Sequence, residues 1–427
     1  MPSQTPWKGI FPLPAGCMRE LRRRAIFECC KWDPQVEDVD TLAPLALVLK
    51  QSTWRELARI AEALARETSA MESALIQRPD LHRPLALPRR VRKALAGLEN
   101  AGTRPEDVRV IRFDFHLAEE GWRISEANTD VPGGYNEASG WAALVAEHVS
   151  EGVPTGDPAG QLVQSICARA PALGTVALVH ATAYTDDRQV MTFLARRCEQ
   201  SGLKAVLAAP DHLRWEKGQA SIRTGWFTGR ADFVFRFFPA EWLVNLPRGS
   251  SWPYYFGGST TPVCNPATAL LTQSKRLPLV WRELGVEFPT WRQMLPETRG
   301  PRDTPWRSDA GWVLKPALGR VGEMVGLAGV TGEREWKLIR RGARWGARHW
   351  VAQRRFTPSP LRVNGQCWYP CLGVFTINGR AAGIYGRAAP QPLINHTARD
   401  LAVLVEPTEP RPDFPAHMRA YESVGAI

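Results

Sequence analysis

Residues 108–134 read VRVIRFDFHLAEEGWRISEANTDVPGG, and this stretch decides the architecture. From Val108 to His116 polar and apolar residues alternate over most of the run, the mark of a strand with one covered face. Glu119-Glu120-Gly121 makes a turn, and residues 122–128 form the returning strand. Residues two apart in a strand share a face, so Arg112 projects with Asp114, and Glu126 with Asn128 and Asp130 while the chain stays extended. Pairing the strands gathers an arginine, carboxylates and a carboxamide on one face. Hard oxygen donors of this kind suit Mg²⁺, which uses one or two carboxylates together with phosphate and water oxygens. An arginine beside them can bridge phosphate or offset developing negative charge. The same residues also fit a solvated hairpin face whose charges pair among themselves. Pro132-Gly133-Gly134 follows directly, where backbone can approach a ligand closely, and this favours the first reading.

Outward from the hairpin, the chain before it reads as helical after an irregular start. Thr53 and Glu56 stand at capping-box spacing, and an apolar stripe runs through Leu57, Ile60, Leu64, Met71 and Leu75. A shorter helix is expected over residues 90–100. After the hairpin come a helix near 137–149 and then a strand, Thr175 to His180, a helix over 187–201 and a strand from Lys204. That βαβ pattern implies a small α/β unit. A third block begins near Cys264, with a helix over 266–283, a strand at 312–315, a glycine-bearing loop, a helix over 333–344 and strands over 348–387. The expected division is 1–105 (helical), 106–159 (site hairpin and helix), 160–262 (small α/β), 263–410 (nucleotide-binding region) and a tail, 411–427.

The chain has 427 residues and a net charge of +11, yet only nine of its 54 cationic side chains are lysines. No stretch approaches the length and apolarity of a membrane span, and the proline-broken N-terminus does not read as a signal peptide. Eight scattered cysteines suggest neither a disulfide framework nor zinc. The expected setting is cytoplasmic. A basic nucleic-acid binder using arginine and tryptophan is the competing class. The arginines are spread rather than clustered, however, and no nucleic-acid module is visible, so neither nucleic acid nor membrane is the expected partner.

Two further segments carry chemistry. Trp312-Val-Leu-Lys315-Pro-Ala-Leu-Gly319-Arg320-Val-Gly322 is a strand ending in lysine and a loop with two glycines. Its backbone N–H groups can fold around phosphate oxygens, although it lacks the Walker pattern; an ordinary glycine turn is the other reading. Lys275 lies in Thr-Gln-Ser-Lys-Arg-Leu-Pro, where a solvated helix lysine is the bland alternative. Arg387 closes Gly383-Ile-Tyr-Gly386-Arg387 and can reach a phosphate or carboxylate. His116 and His396 show no partner and read as structural or exposed.

Together these segments resemble the synthetase part of the glutathionylspermidine synthase family, without the amidase domain fused in some members. The likeness spans roughly residues 30–407 and is sharpest in IRFDFHLAEEGWRISEANTDVPGGYNEAS, WVLKPALGRVG and GVFTINGRAAGIYGR. KWDPQV, RFFPAEW, TQSKRLPLVW and WVAQRRF match in order as well. The resemblance implies an α/β (α+β) ATP-grasp-like fold of circularly permuted order, with a small pre-ATP-grasp-like α/β domain and an N-terminal helical region. It implies Mg²⁺ on Asp114, Glu126 and Asn128, and Arg112 stabilising the charged transition state. ATP would meet Lys275, Lys315, Gly319, Arg320, Gly322 and Gln353, with Arg387 near the phosphates and the substrate carboxylate. Substrate would lie near Val131, Gly133, Asp186 and Asp187. The implied activity is ATP-dependent joining of a carboxylate, such as a short peptide, to an amine or polyamine through an acyl phosphate; a nucleotide-binding, non-ligating homologue is the alternative. Where the family often carries serines and threonines after Glu-x-Asn-x-Asp, this chain has Val131, Pro132, Gly133 and Gly134.

Overall fold

Nine strands form the central sheet, seven of them in one continuous order, and the site hairpin is its edge. In the computed structural model, which describes residues 5–33, 35–36, 39–97, 104–247, 249–319 and 322–409, the order is Trp7–Pro12, Leu42–Leu49, Arg399–Val405, Arg380–Ala389, Gln366–Ile377, Val110–Ala118 and Gly121–Asn128. The pairings are antiparallel except that of Leu42–Leu49 with Arg399–Val405. The hairpin register sets Arg112 opposite Asn128 and Asp114 opposite Glu126, with a bulge between Asp114 and Phe115. A four-stranded parallel sheet, Val263–Cys264, Phe233–Phe237, Thr175–His180 and Lys204–Ala208, is the expected small α/β unit, flanked by the Thr185–Gln200 helix. A three-stranded sheet of Thr298–Arg299, Trp350–Arg354 and Trp312–Pro316 packs against the Glu333–Trp345 helix through Trp306, Leu314, Ile339 and Ala352.

The first third departs from the helical expectation. Leu42–Leu49 and Trp7–Pro12 are strands of the central sheet, not parts of a helical region. Leu42–Leu49 is apolar almost throughout and buried at every position but Pro44. A strand covered on both faces shows no alternation and gives no period to read. Arg399–Val405, the strand that pairs with it, was missed for the same reason. The Gln51–Ile76 helix does form and buries its apolar stripe, but Thr53 is not its cap. It lies inside the first turn, where its hydroxyl donates to the Pro6 carbonyl at 3.0 Å. The expected helix at 137–149 opens as a π-helix over Asn136–Trp141 before Ala142–Ala146.

The expected helix over 266–283 is broken, and the break builds the site. Short turns cover Ala267–Ala269 and Leu270–Gln273; Ser274 then goes extended, and a 3₁₀ turn follows over Leu277–Glu283. Pro278 has no N–H to offer and cannot continue the earlier turn. Freed from a helix, the Lys275 N–H donates to the Ala317 carbonyl at 2.9 Å, which ties this segment to the loop after Lys315. Among the described residues no helix is long and apolar enough to cross a membrane. The tail, 411–427, and Arg320 lie outside the described residues.

Candidate functional site

The hairpin face, the Trp312–Pro316 strand and the end of the parallel sheet enclose a cavity of about 580 Å³. Arg112 lies across its floor. Its Nε and Nη2 donate to the two Asp114 oxygens at 2.7 and 2.9 Å, a bidentate pair with both side chains nearly buried. Nη1 reaches the Gly133 carbonyl at 2.7 Å, and Asn128 Nδ2 donates to Asp114 Oδ2 at 3.1 Å. Two glycines make room for this group. A Cβ on Gly373 would stand 2.7 Å from Arg112 Cδ. At Gly134, whose φ is +100°, a Cβ would meet the Tyr385 ring at 2.5 Å. The Arg112 guanidinium lies 5.1 Å from the centre of that ring.

The two lysines converge from the other wall. Lys275 Nζ pairs with Glu126 Oε2 at 2.9 Å and donates to the Gly319 carbonyl at 2.7 Å. Lys315 Nζ donates to the Ser125 carbonyl at 2.9 Å and to Gln353 Oε1 at 2.7 Å. Burial would raise the Glu126 carboxyl, but Lys275 and then Lys315 outweigh it and pull it down to about 2. Burial works the other way on Lys315. With Lys275 repelling it and Glu126 only partly compensating, its ammonium drops to about 8. His116, two residues beyond Asp114 on the same strand face, is pushed down to about 4 by burial and by Lys315. It sits against Phe356 and shares a 3.0 Å hydrogen bond with Ser125 Oγ.

The far end of the cavity carries a charge cluster. Lys31 Nζ lies 2.8 Å from Glu137, 3.0 Å from Asp400 and 3.5 Å from Asp33. Burial opposes its charge, but Asp400, Glu137 and Asp33 hold it well above the ordinary lysine value. Tyr385 Oη donates to Asp400 Oδ1 at 2.7 Å, which links this cluster to the ring beneath Arg112. Burial and the nearby Asp33 raise the Asp186 carboxyl.

The structure therefore gathers most of the sequence-predicted residues around one space. Arg112, Asp114, Glu126, Asn128, Val131, Gly133, Asp186, Asp187, Lys315, Gly319, Gly322, Gln353 and Arg387 all line it, and Lys275 joins through Glu126 and Gly319. Gln353 is held against Lys315 and Thr298. Arg387 donates to the Asn395 carbonyl. Sequence reasoning missed Lys31, Glu137 and Tyr385, whose partners are remote in the chain; His116, expected to be structural or exposed, is buried at the cavity edge. Among the described residues no group of three or more His, Cys, Asp or Glu side chains is arranged to hold a metal. The acidic donors stand instead as a cross-strand pair with a carboxamide beside them.

No curated protein matches the sequence. Among solved structures, a glutathione synthetase-like effector from Globodera pallida, in its apo form, matches with a TM-score of 0.58 and 11% identity over 91% of this chain and 97% of that one. A candidate gamma-glutamylcysteine synthetase from Methylobacillus flagellatus matches with a TM-score of 0.41 and 12% identity over 78% of this chain and 87% of that one. The first match shows that the fold is shared with a synthetase-like protein: α/β and ATP-grasp-like, as the sequence led one to expect. The hairpin, Lys315 and Arg387 line one cavity that Lys275 joins through Glu126, and the family model that describes the glutathionylspermidine synthase preATP-grasp matches residues 43–406: the chain belongs to that family.

Proposed function

We propose that the chain is an ATP- and Mg²⁺-dependent carboxylate–amine ligase. The observation that carries this reading is the meeting, in one cavity, of the Arg112–Asp114–Asn128 group with Glu126, Lys275 and Lys315. The donor set fits Mg²⁺: two carboxylates opposite each other across a strand pair and a carboxamide oxygen leave positions for phosphate oxygens. Asp114, Glu126 and Asn128 would hold the ion, which supplies charge neutralisation on the phosphates.

Lys275, Lys315 and the loop glycines Gly319 and Gly322 line the phosphate path, and Gln353 marks the nucleotide side. A substrate carboxylate oxygen attacks the γ-phosphorus of ATP; ADP leaves and an acyl phosphate forms. An amine nitrogen then attacks the acyl carbon, the C–O bond to phosphate breaks, and the nitrogen gives up a proton as the amide forms. Arg112 and Arg387 orient the carboxylate and offset charge on the transferring group, so catalysis rests on positioning and electrostatics. No side-chain nucleophile is required.

Screening carboxylate and amine pairs for ADP release with product mass tests the reading. ADP and a condensed product from at least one pair are expected. Tight ATP binding with no ADP from any pair would identify a non-ligating nucleotide binder instead.

A pH dependence follows from Lys315. ATP phosphates favour its charged form, so binding takes up a proton once the solution is above about pH 8. ATP affinity, measured by calorimetry, is expected to hold below that point and to weaken as pH rises through it. Lys315→Arg, which cannot deprotonate in this range, should flatten the profile. A flat profile in the unmodified chain would show that Lys315 does not face the phosphates.

A further inference from the structure

The net charge of the chain is gathered in one place. Residues 298–355 hold thirteen arginines and lysines against five carboxylates, so most of the +11 belongs to the three-stranded sheet and its helix. That sheet has two unlike faces. Val313, Lys315 and Gln353 line the cavity, whereas Trp312, Leu314 and Ala352 pack on Ile339 and Ala343 of the Glu333–Trp345 helix. The helix therefore covers the back of the sheet, and its outer side faces away from the proposed ATP site. ATP does not account for the charge carried there.

Arg334, Leu338, Arg341 and Trp345 follow one another at spacings of four, three and four residues, which puts them in one stripe. All four are exposed, Leu338 at 58% and Trp345 at 73%. Arg344 flanks the stripe with its guanidinium 4.9 Å from the centre of the Trp345 ring, and an exposed Arg348 follows in the next turn. The neighbouring carboxylates leave this charge standing. Glu333 pairs with Lys337 at 2.7 Å, Asp309 pairs with Arg354 at 2.8 Å, and Glu335 is half-buried on the flank. Among the described residues Arg334, Arg341, Arg344 and Arg348 have no carboxylate partner.

We propose that this helix face attaches the chain to the surface of an anionic lipid bilayer. Leu338 and Trp345 enter the boundary between headgroups and acyl chains, and the arginines meet lipid phosphates. A bilayer surface uses both halves of the stripe, apolar burial and cationic charge. A nucleic acid uses less of it. An aliphatic Leu338 gains nothing from phosphates, and the convex side of one helix offers no groove for a strand of stacked bases. An acidic protein would need carboxylates set in register with the arginines, a demand that mobile headgroups do not make. Among the described residues no helix can cross a membrane, so the attachment is peripheral. It stands or falls independently of the ligase reading.

The test sediments the full chain with vesicles of phosphatidylcholine alone, and of phosphatidylcholine with about one quarter phosphatidylglycerol. Binding is expected to the anionic vesicles only, and to weaken as salt is raised. Arg341→Gln with Arg344→Gln should lower the partition coefficient roughly five-fold for each charge removed. Leu338→Ser with Trp345→Ser should lower it by about ten-fold or more. Arg55→Gln with Arg59→Gln removes the same charge from exposed positions of the Gln51–Ile76 helix and should leave binding nearly unchanged. Melting curves confirm that each variant is folded. Equal binding to neutral vesicles, no binding to anionic ones, an equal loss in the Arg55 and Arg59 variant, or full binding without Leu338 and Trp345 overturns the proposal. Capture of a single-stranded oligonucleotide or of polyglutamate, with the vesicles left unbound, overturns it as well and gives the face to that partner.

Discussion

Glu126→Gln is expected to lower ADP formation by about 10³-fold, equivalent to roughly 4 kcal/mol of transition-state stabilisation, while the chain stays folded. The reason lies in how many groups share one carboxylate. Glu126 holds Lys275 at 2.9 Å and is the chief influence keeping the Lys315 ammonium as high as about 8. A neutral amide there leaves two ammonium groups facing each other, drives Lys315 further toward its neutral form, and removes a proposed Mg²⁺ ligand. The fold survives because Lys275 keeps the Gly319 carbonyl, and Lys315 keeps Ser125 and Gln353. Asp114→Asn should cost turnover on a similar scale. Asp114→Ala would also strand a buried Arg112 and lower stability by about 3–5 kcal/mol, so asparagine is the cleaner probe. ADP release across a magnesium titration, with a melting curve for each variant, measures both effects. Turnover equal to the unmodified chain in Glu126→Gln and Asp114→Asn would remove the hairpin from the chemistry.

Why the hairpin was legible and the far cluster was not is a matter of range. Arg112 and Asp114 are two apart, as are Glu126 and Asn128, and a tight turn joins their strands, so period and turn chemistry suffice to place all four on one face. The family resemblance added the roles. Lys31, by contrast, meets Glu137 and Asp400 only because the central sheet brings three distant segments together. No local period records such a meeting, and KWDPQV reads as an ordinary charged loop. His116 shows the same limit in one residue. Its place on the Asp114 face could be read, but its packing on Phe356 and the charge of Lys315 beside it come from segments remote in the chain.

The departures in the fold have two causes. Leu42–Leu49 and Arg399–Val405 pair in parallel in the middle of the sheet, where both faces are covered and alternation vanishes. The helical pattern from 266 was genuine only in short pieces. Its failure at Ser274–Pro278 turns Lys275 toward Glu126 instead of leaving it on a solvated helix. Local rules broke where the site is built, as is expected where function overrides propensity.

The second large effect is expected at a pair that touches no substrate. Asp130 and Arg236 form an ion pair at 2.6 Å with both side chains wholly buried. Arg236 Nε also donates to the Asn265 carbonyl at 3.0 Å, and the Asp130 N–H donates to Gln273 Oε1 at the same distance. The pair thus fastens the exit of the hairpin to the parallel sheet and to the segment two residues before Lys275. Removing one partner leaves a buried charge without its ion-pair partner. Arg236→Met or Asp130→Ala should each cost about 3–5 kcal/mol. The double variant Asp130→Leu with Arg236→Met removes both charges, so its loss should be smaller than the sum of the two single losses. Chemical denaturation of the three variants reads these differences directly. Two single losses that simply add would show that the ion pair holds nothing together. A double variant that regains stability but not ADP formation would show that the pair also sets where Lys275 meets Glu126.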